Sequence, residues 1–150
     1  MTNLQKQDQD THEAEIEATE EITTEPTYVD YETFQSMDMR MGTIRFVEPI
    51  EGADKLLRFL IDFGPEVATM EYTDEVSGAT YPVRQIVSGI REYYPENYQG
   101  LVGKTLLYII NLAPRVIRGV ESQGMLMAVG KGAPVFVVPE TEVESGSAVR

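Results

Sequence analysis

The chain of 150 residues has no cysteine. That excludes disulfide frameworks, thiolate metal sites and cysteine nucleophiles. Its single histidine, His12, lies among acids and threonines, where an exposed residue without a role is expected in preference to a metal ligand. Nowhere do about 18 apolar residues follow one another, and the start "MTNLQKQDQDTHEAEIE" has no basic stretch leading into an apolar one. The expectation is a soluble, cytoplasmic protein with no membrane partner. Basic residues are scarce, 12 Lys and Arg against 25 Asp and Glu, for a formal charge of −13. Such a balance counts against a polyanionic partner, because phosphate binding relies on cations that displace counterions. Catalytic signatures are missing as well. Gly103-Lys104-Thr105 looks like the end of a phosphate-binding loop, but Tyr98 stands where the first glycine belongs and the strand-like "LLYIINL" follows where a helix is needed. There is no nucleophile elbow, no paired histidine and no carboxylate pair at acid and base spacing, so neither an enzyme nor a cofactor is expected.

The distribution of charge changes the picture. Residues 1–33 hold one base against ten acids, net −9, while residues 34–150 hold eleven against fifteen, net −4. Residues 1–26 are mostly Glu, Asp, Thr and Gln, with Leu4, Ile16 and Ile22 as the only large aliphatics. Such a segment buries too little apolar area to offset its ordering entropy, so an acidic disordered tail is expected over 1–26 and a folded domain over 27–150. In the domain, "DYETFQSMDM" predicts a short helix started by Asp30, with Phe34 and Met37 covering one side of a core. "RMGTIRFVEPI" and "LLRFLIDFG" alternate and are rich in branched and aromatic residues, giving strands one and two. Residues 65–83 read as an extended hairpin loop turning at Ser77-Gly78, leading into a third strand, "RQIVSGI". "REYYPENYQGLVGK" fits a short helix or coil, and "TLLYIINLA", "GMLMAVG" and "PVFVVPE" read as further strands. The fold class expected is all-β, a barrel with short helices and a C-terminal strand extension.

One stretch does not fit a purely structural purpose. "NLAPRVIRGVESQGMLMAV", 111–129, sets Arg115 and Arg118 between strand-forming residues of an acidic chain. If the branched residues anchor this connection inward, both guanidinium groups project outward, in one loop with Asn111, Ser122 and Gln123. That set suits phosphates and sugar hydroxyls. Surface pairing of the arginines with Glu121 or Glu92 is an equally good reading of the residues alone. Lys55, at the turn "EGADK", is either a solubility residue or a contact at the lip of strand two.

The segments "MDMRMGTI", "ADKLLRFLIDFG", "RQIVSGI", "NLAPRVIRGVESQGMLM" and "SGSAVR", in this order, resemble the tRNA-binding domain found at the C-terminus of many methionyl-tRNA synthetases and in free-standing tRNA-binding proteins. The resemblance covers about 34–150. It implies an oligonucleotide-binding (OB-fold) five-stranded barrel, a homodimer, and recognition of tRNA by shape more than by sequence. By the same resemblance, Lys55, Ser88, Asn111, Arg115, Arg118, Ser122, Gln123 and Met125 fall on RNA-contacting motif positions. The chain departs from the family at Gly52, where Asn is frequent, and at Ala113 and Val116, where Lys is. The resemblance leaves open whether the chain acts alone or as a non-catalytic beta subunit of a methionyl-tRNA synthetase supplied separately. CsaA-like export chaperones, which share the fold and bind unfolded polypeptide, are the alternative; they generally lack the "VESQGM" string.

Overall fold

A computed structural model describes residues 25–150. The expected disordered tail therefore lies almost wholly outside the described residues. The leading helix α1 (Tyr31–Ser36) starts where Asp30 predicts, with the Thr33 amide donating to Asp30 Oδ1 at 2.7 Å. Its expected packing does not occur. Phe34 and Met37 are 42% and 40% exposed, and α1 buries no residue. Spacing of three specifies that two side chains share a face; it does not say what the face meets.

Residues 35–150 form their own compact unit. Its strands are β1 (Met39–Pro49), β2 (Leu57–Asp62), β3 (Met70–Thr73), β4 (Thr80–Ser88), β5 (Thr105–Ile109), β6 (Arg115–Ile117), β7 (Val120–Ser122), β8 (Met125–Leu126), β9 (Ala128–Val129) and β10 (Val135–Phe136). Six of them make one sheet in the order β3-β4-β2-β1-β5-β8, with antiparallel pairing throughout. The long β1 is shared by two partners. Met39–Thr43 pairs with β5 and Thr43–Pro49 with β2, and the register shifts between Ile44 and Phe46. A bulge there bends one strand so that it serves both halves of the barrel. The open side is closed between β4 and residues 122–124: the Gln123 amide donates to the Gln85 carbonyl at 2.8 Å. The chain is thus all-β and barrel-like, as expected.

Alternating inward residues fill the barrel. Ile44, Val47, Leu57, Phe59, Ile61, Ile86, Leu106 and Tyr108 are among the buried cluster. Tyr108 Oη is buried without a hydrogen-bond partner, and burial pushes its pKa up. A smaller apolar cluster lies apart, with Ile50, Ala53 and Val87 buried and Leu56, Ile117 and Val120 packed against them.

Three expectations need correction. Residues 65–83 do make the expected hairpin, but of paired strands and not of loop, since β3 and β4 pair from Met70↔Val83 to Thr73↔Thr80, with the turn at 74–79 held by Asp74. "GMLMAVG" is not one strand but two short ones, β8 on β5 and β9 on β10. The connection between β5 and β8 is not one loop, because β6 and β7 form a two-stranded ribbon within it. The closing "SGSAVR" follows the expected C-terminal extension. The Met41 amide donates to the Ser147 carbonyl and the Val149 amide to the Met39 carbonyl, so this segment lies along β1. Gly146 cannot be replaced there, because a Cβ would run into the Phe63 carbonyl.

Candidate nucleic-acid interface

The β6–β7 ribbon is built from apolar feet and a charged tip. Ile117 and Val120 pair across it and pack on the smaller cluster, whose Ala53 and Leu56 come from the turn between β1 and β2. That shared packing brings two distant segments together. Gly52, Ala53, Asp54, Lys55, Leu56 and Arg118 line one depression of about 370 Å³. The turn joining the ribbon's strands is Arg118-Gly119, with φ of 52° and 78°, the pattern of a type I′ turn. Arginine has little liking for that region, where glycine and asparagine are at home.

The sequence placed eight residues here, and they divide sharply. Lys55, Arg115 and Arg118 are exposed, and among the described residues none of them enters an ion pair. The pairing of the arginines with Glu121 or Glu92 is therefore not formed. Met125 is also exposed, at 51%, on β8. The polar members are engaged in the fold. Ser122 is buried; its hydroxyl accepts from the Val87 amide at 3.0 Å and donates to the Gly124 carbonyl at 3.0 Å. The Gln123 side chain accepts from Thr69 Oγ1 at 2.5 Å and from the Gln85 amide, and donates to Glu121. Asn111 clamps the approach to β1, its Oδ1 accepting from the Asp38 amide at 2.8 Å and its Nδ2 donating to the Ser36 carbonyl at 2.6 Å. Ser88 ends β4, paired with Leu57 and half-buried.

Sequence reading missed Arg91. Its amide donates to the Lys55 carbonyl at 3.2 Å and its guanidinium to the Ala53 carbonyl at 3.5 Å, so a further cation braces the turn that carries Lys55. Its position just after "SGI" was the only available signal. Arg84 is a different case. It donates to the carbonyls of Val67, Ile110 and Gln123, tying the closing segment to the barrel end. Among the described residues, no group of three or more His, Asp and Glu could hold a metal ion, and no helix is long and apolar enough to cross a membrane.

The arrangement leaves Lys55, Arg115 and Arg118 without a carboxylate partner among the described residues, on two segments that the smaller apolar cluster holds together. Similarity to known proteins gives the family of the chain. The family model described as "Putative tRNA binding domain" matches residues 39–148. The chain belongs to this tRNA-binding domain family. It is 37% identical over 125 residues to the methionine–tRNA ligase of Methanosarcina mazei, covering 81% of this chain and 15% of the ligase. With the methionine–tRNA ligase of Porphyromonas gingivalis the identity is 37% over 145 residues, 95% of this chain and 18% of that one. The chain thus spans less than a fifth of these relatives. Among solved structures, a MetRS related protein from Pyrococcus horikoshii matches with a TM-score of 0.66 and 28% identity, over 83% of this chain and all of that one. The chaperone CsaA from Bacillus anthracis matches with a TM-score of 0.63 over 83% of this chain and all of that one. At 21% identity this likeness is one of fold alone.

Proposed function

We propose that the domain binds folded tRNA through the cations of its two loops, with Lys55, Arg115 and Arg118 on phosphates and Arg91 bracing the turn. One observation carries this reading. In an acidic chain, the packing of Ile117 and Val120 on Ala53 and Leu56 sets Lys55 and Arg118 around one depression, without a carboxylate partner for either. Asp54 also lines it, which favours a ligand with donors as well as charge, such as a ribose beside a phosphate. Ser122, Gln123, Asn111 and Ser88 act indirectly in this scheme, by fixing where the ribbon and strand ends stand. Met125 supplies an apolar contact.

The module itself is non-catalytic in this reading, and it assists a methionyl-tRNA synthetase as a separate subunit or as part of a longer chain. It works as a homodimer, supported by Val135 of β10 and Val138 just after it, which are 58% and 63% exposed. Light scattering should return twice 16.8 kDa. The functional test is a titration with mixed tRNA from 50 to 300 mM salt. Affinity should fall steeply with salt. The Arg115→Ala, Arg118→Ala double variant should lose about 2 to 6 kcal/mol, at about 1–3 per charge-assisted contact, with an unchanged circular dichroism spectrum. Equal affinity in the double variant would sink the site. Suppressed aggregation of an unfolded client without any tRNA binding would move the assignment to the chaperone class.

A further inference from the structure

We propose that the outer edge of β3 is a docking edge, which takes an extended basic segment of another protein as an added strand. The proposal goes beyond the RNA-binding reading above and uses none of its cations. β3 ends the six-stranded sheet, with β4 as its ladder partner. Which of its backbone groups face outward follows from the register. The Asp74 amide donates to the Ala79 carbonyl at 2.8 Å, so that opposed pair is hydrogen-bonded. Hydrogen-bonded and non-hydrogen-bonded pairs alternate along an antiparallel ladder, which makes Tyr72↔Tyr81 a pair of the first kind and Glu71↔Pro82 and Thr73↔Thr80 pairs of the second. The side chains fit that assignment. Pro82 has no N–H to give, and the Thr73 and Thr80 hydroxyls meet at 2.8 Å, the close approach of a non-hydrogen-bonded pair. The N–H and C=O of Glu71 and Thr73 therefore point away from β4, and among the described residues no strand, loop or side chain takes them.

Such an edge is a template for another chain. At β1 the segment 146–149 covers Met39 and Met41, whereas β3 has no such cover among the described residues. The edge is also held in shape. At its tip Asp74 accepts from the Ser77 amide and hydroxyl at 3.2 and 2.7 Å, and at its base Thr69 Oγ1 donates to Gln123 and the Arg84 guanidinium to the Val67 carbonyl. A preformed edge loses little freedom when a strand is added. Charge then names the occupant. Residues 65–83 carry Glu66, Glu71, Asp74 and Glu75 and no Lys or Arg, and none of these acids enters an ion pair among the described residues. A second copy would set the same acids against these, and residues 1–33 of the chain, at net −9, are repelled alike. A basic strand is attracted at the same positions. The two faces of β3 refine the choice, since Glu71 and Thr73 share one face and Met70 and Tyr72 the other. Met70 is 41% exposed, and Tyr72 rests on the Phe46 ring, 5.4 Å away. The segment that fits alternates Lys or Arg, opposite Glu71, with apolar residues that continue the Met70 face.

The experiment uses the full chain with synthetic peptides of about six residues, the usual length of a strand. One alternates lysine and valine, one is the same peptide N-methylated at every amide, and one alternates glutamate and valine. Amide hydrogen exchange of the protein is followed by NMR at low salt. The lysine–valine peptide should slow exchange at Glu71 and Thr73 by on the order of tenfold or more, with little change at Tyr72, whose amide already faces β4. N-methylation keeps the charge and removes the donors of the added strand, so the protection should vanish. Glu71→Lys should reverse the preference, losing the lysine peptide and gaining the glutamate one. Equal binding of the plain and methylated peptides would mean attraction by charge alone and would overturn the docking edge. No protection at Glu71 and Thr73 with the lysine peptide would do the same. Slow exchange at both amides before any peptide is added would put a second copy or another part of the chain on the edge, and would overturn it too. None of these results bears on the tRNA titration, so the loop site stands or falls separately. Because exchange is read on the unaltered protein, it decides the matter even if the variant does not fold.

Discussion

Arg118 occupies a backbone position that asparagine would fill with less strain. As the first residue of a two-residue turn with φ 52°, it takes a conformation that is uncommon outside glycine and asparagine. A non-glycine residue held there costs on the order of 1 kcal/mol. Arg118→Asn should therefore stabilise the fold by about 0.5–1 kcal/mol, read as a higher urea midpoint, while weakening tRNA binding. If affinity stays as it was, the arginine has no contact to lose. Ser122 gives the opposite pattern. Its hydroxyl is the partner of the buried Val87 amide, so Ser122→Ala should cost about 1–3 kcal/mol of stability. Under conditions where the variant remains folded, its tRNA affinity should change much less than that of Arg118→Ala. The two residues are four positions apart and look equally suited to RNA in the sequence. What separates them is a partner 35 residues away, which no local pattern announces. Asn111 is hidden for the same reason, its partners being 73 and 75 residues away.

At the scale of elements, legibility follows length and neighbours. β1, β2 and β5 were plain because branched and aromatic residues alternate over five or more positions. The β6–β7 ribbon was not, since three-residue strands are too short to show a period, and Arg118-Gly119 lacks the Asn-Gly signal of a hairpin. The strand pairing within the β3–β4 hairpin is hidden by Pro82, which cannot donate to a ladder and argues against a strand with neighbours on both sides. Here it sits opposite Glu71 of β3, an outer strand, beyond the stretch of β4 that pairs with β2. The turn is plain in the sequence at Ser77-Gly78, where Gly78 has φ 73°. The loop site was legible in its charges and illegible in its geometry. Nothing in "EGADK" or "VIRGV" says that Ala53 and Ile117 share an apolar cluster, yet that packing is what sets Lys55 beside Arg118.

Over the whole molecule the imbalance of charge bears on affinity. Residues 1–33 bring net −9 to a chain whose remainder is net −4. A segment of that sign is expected to lower the potential for an anionic ligand and to compete for the same arginines. Removing residues 1–26 should tighten tRNA binding at 50 mM salt and make progressively less difference toward 300 mM, as the screening length shrinks below about 10 Å. Unchanged or weaker binding at 50 mM would leave the segment to a role with a protein partner. The segment 146–149 bears on something else, the exposure of a strand edge. Residues 147–149 pair with Met39 and Met41 along a part of β1 where β2 has not yet begun. They occupy an edge whose amides and carbonyls would otherwise be open to a strand of another molecule. The segment 146–149 is thus a built-in stopper against edge-to-edge polymerisation at this part of β1.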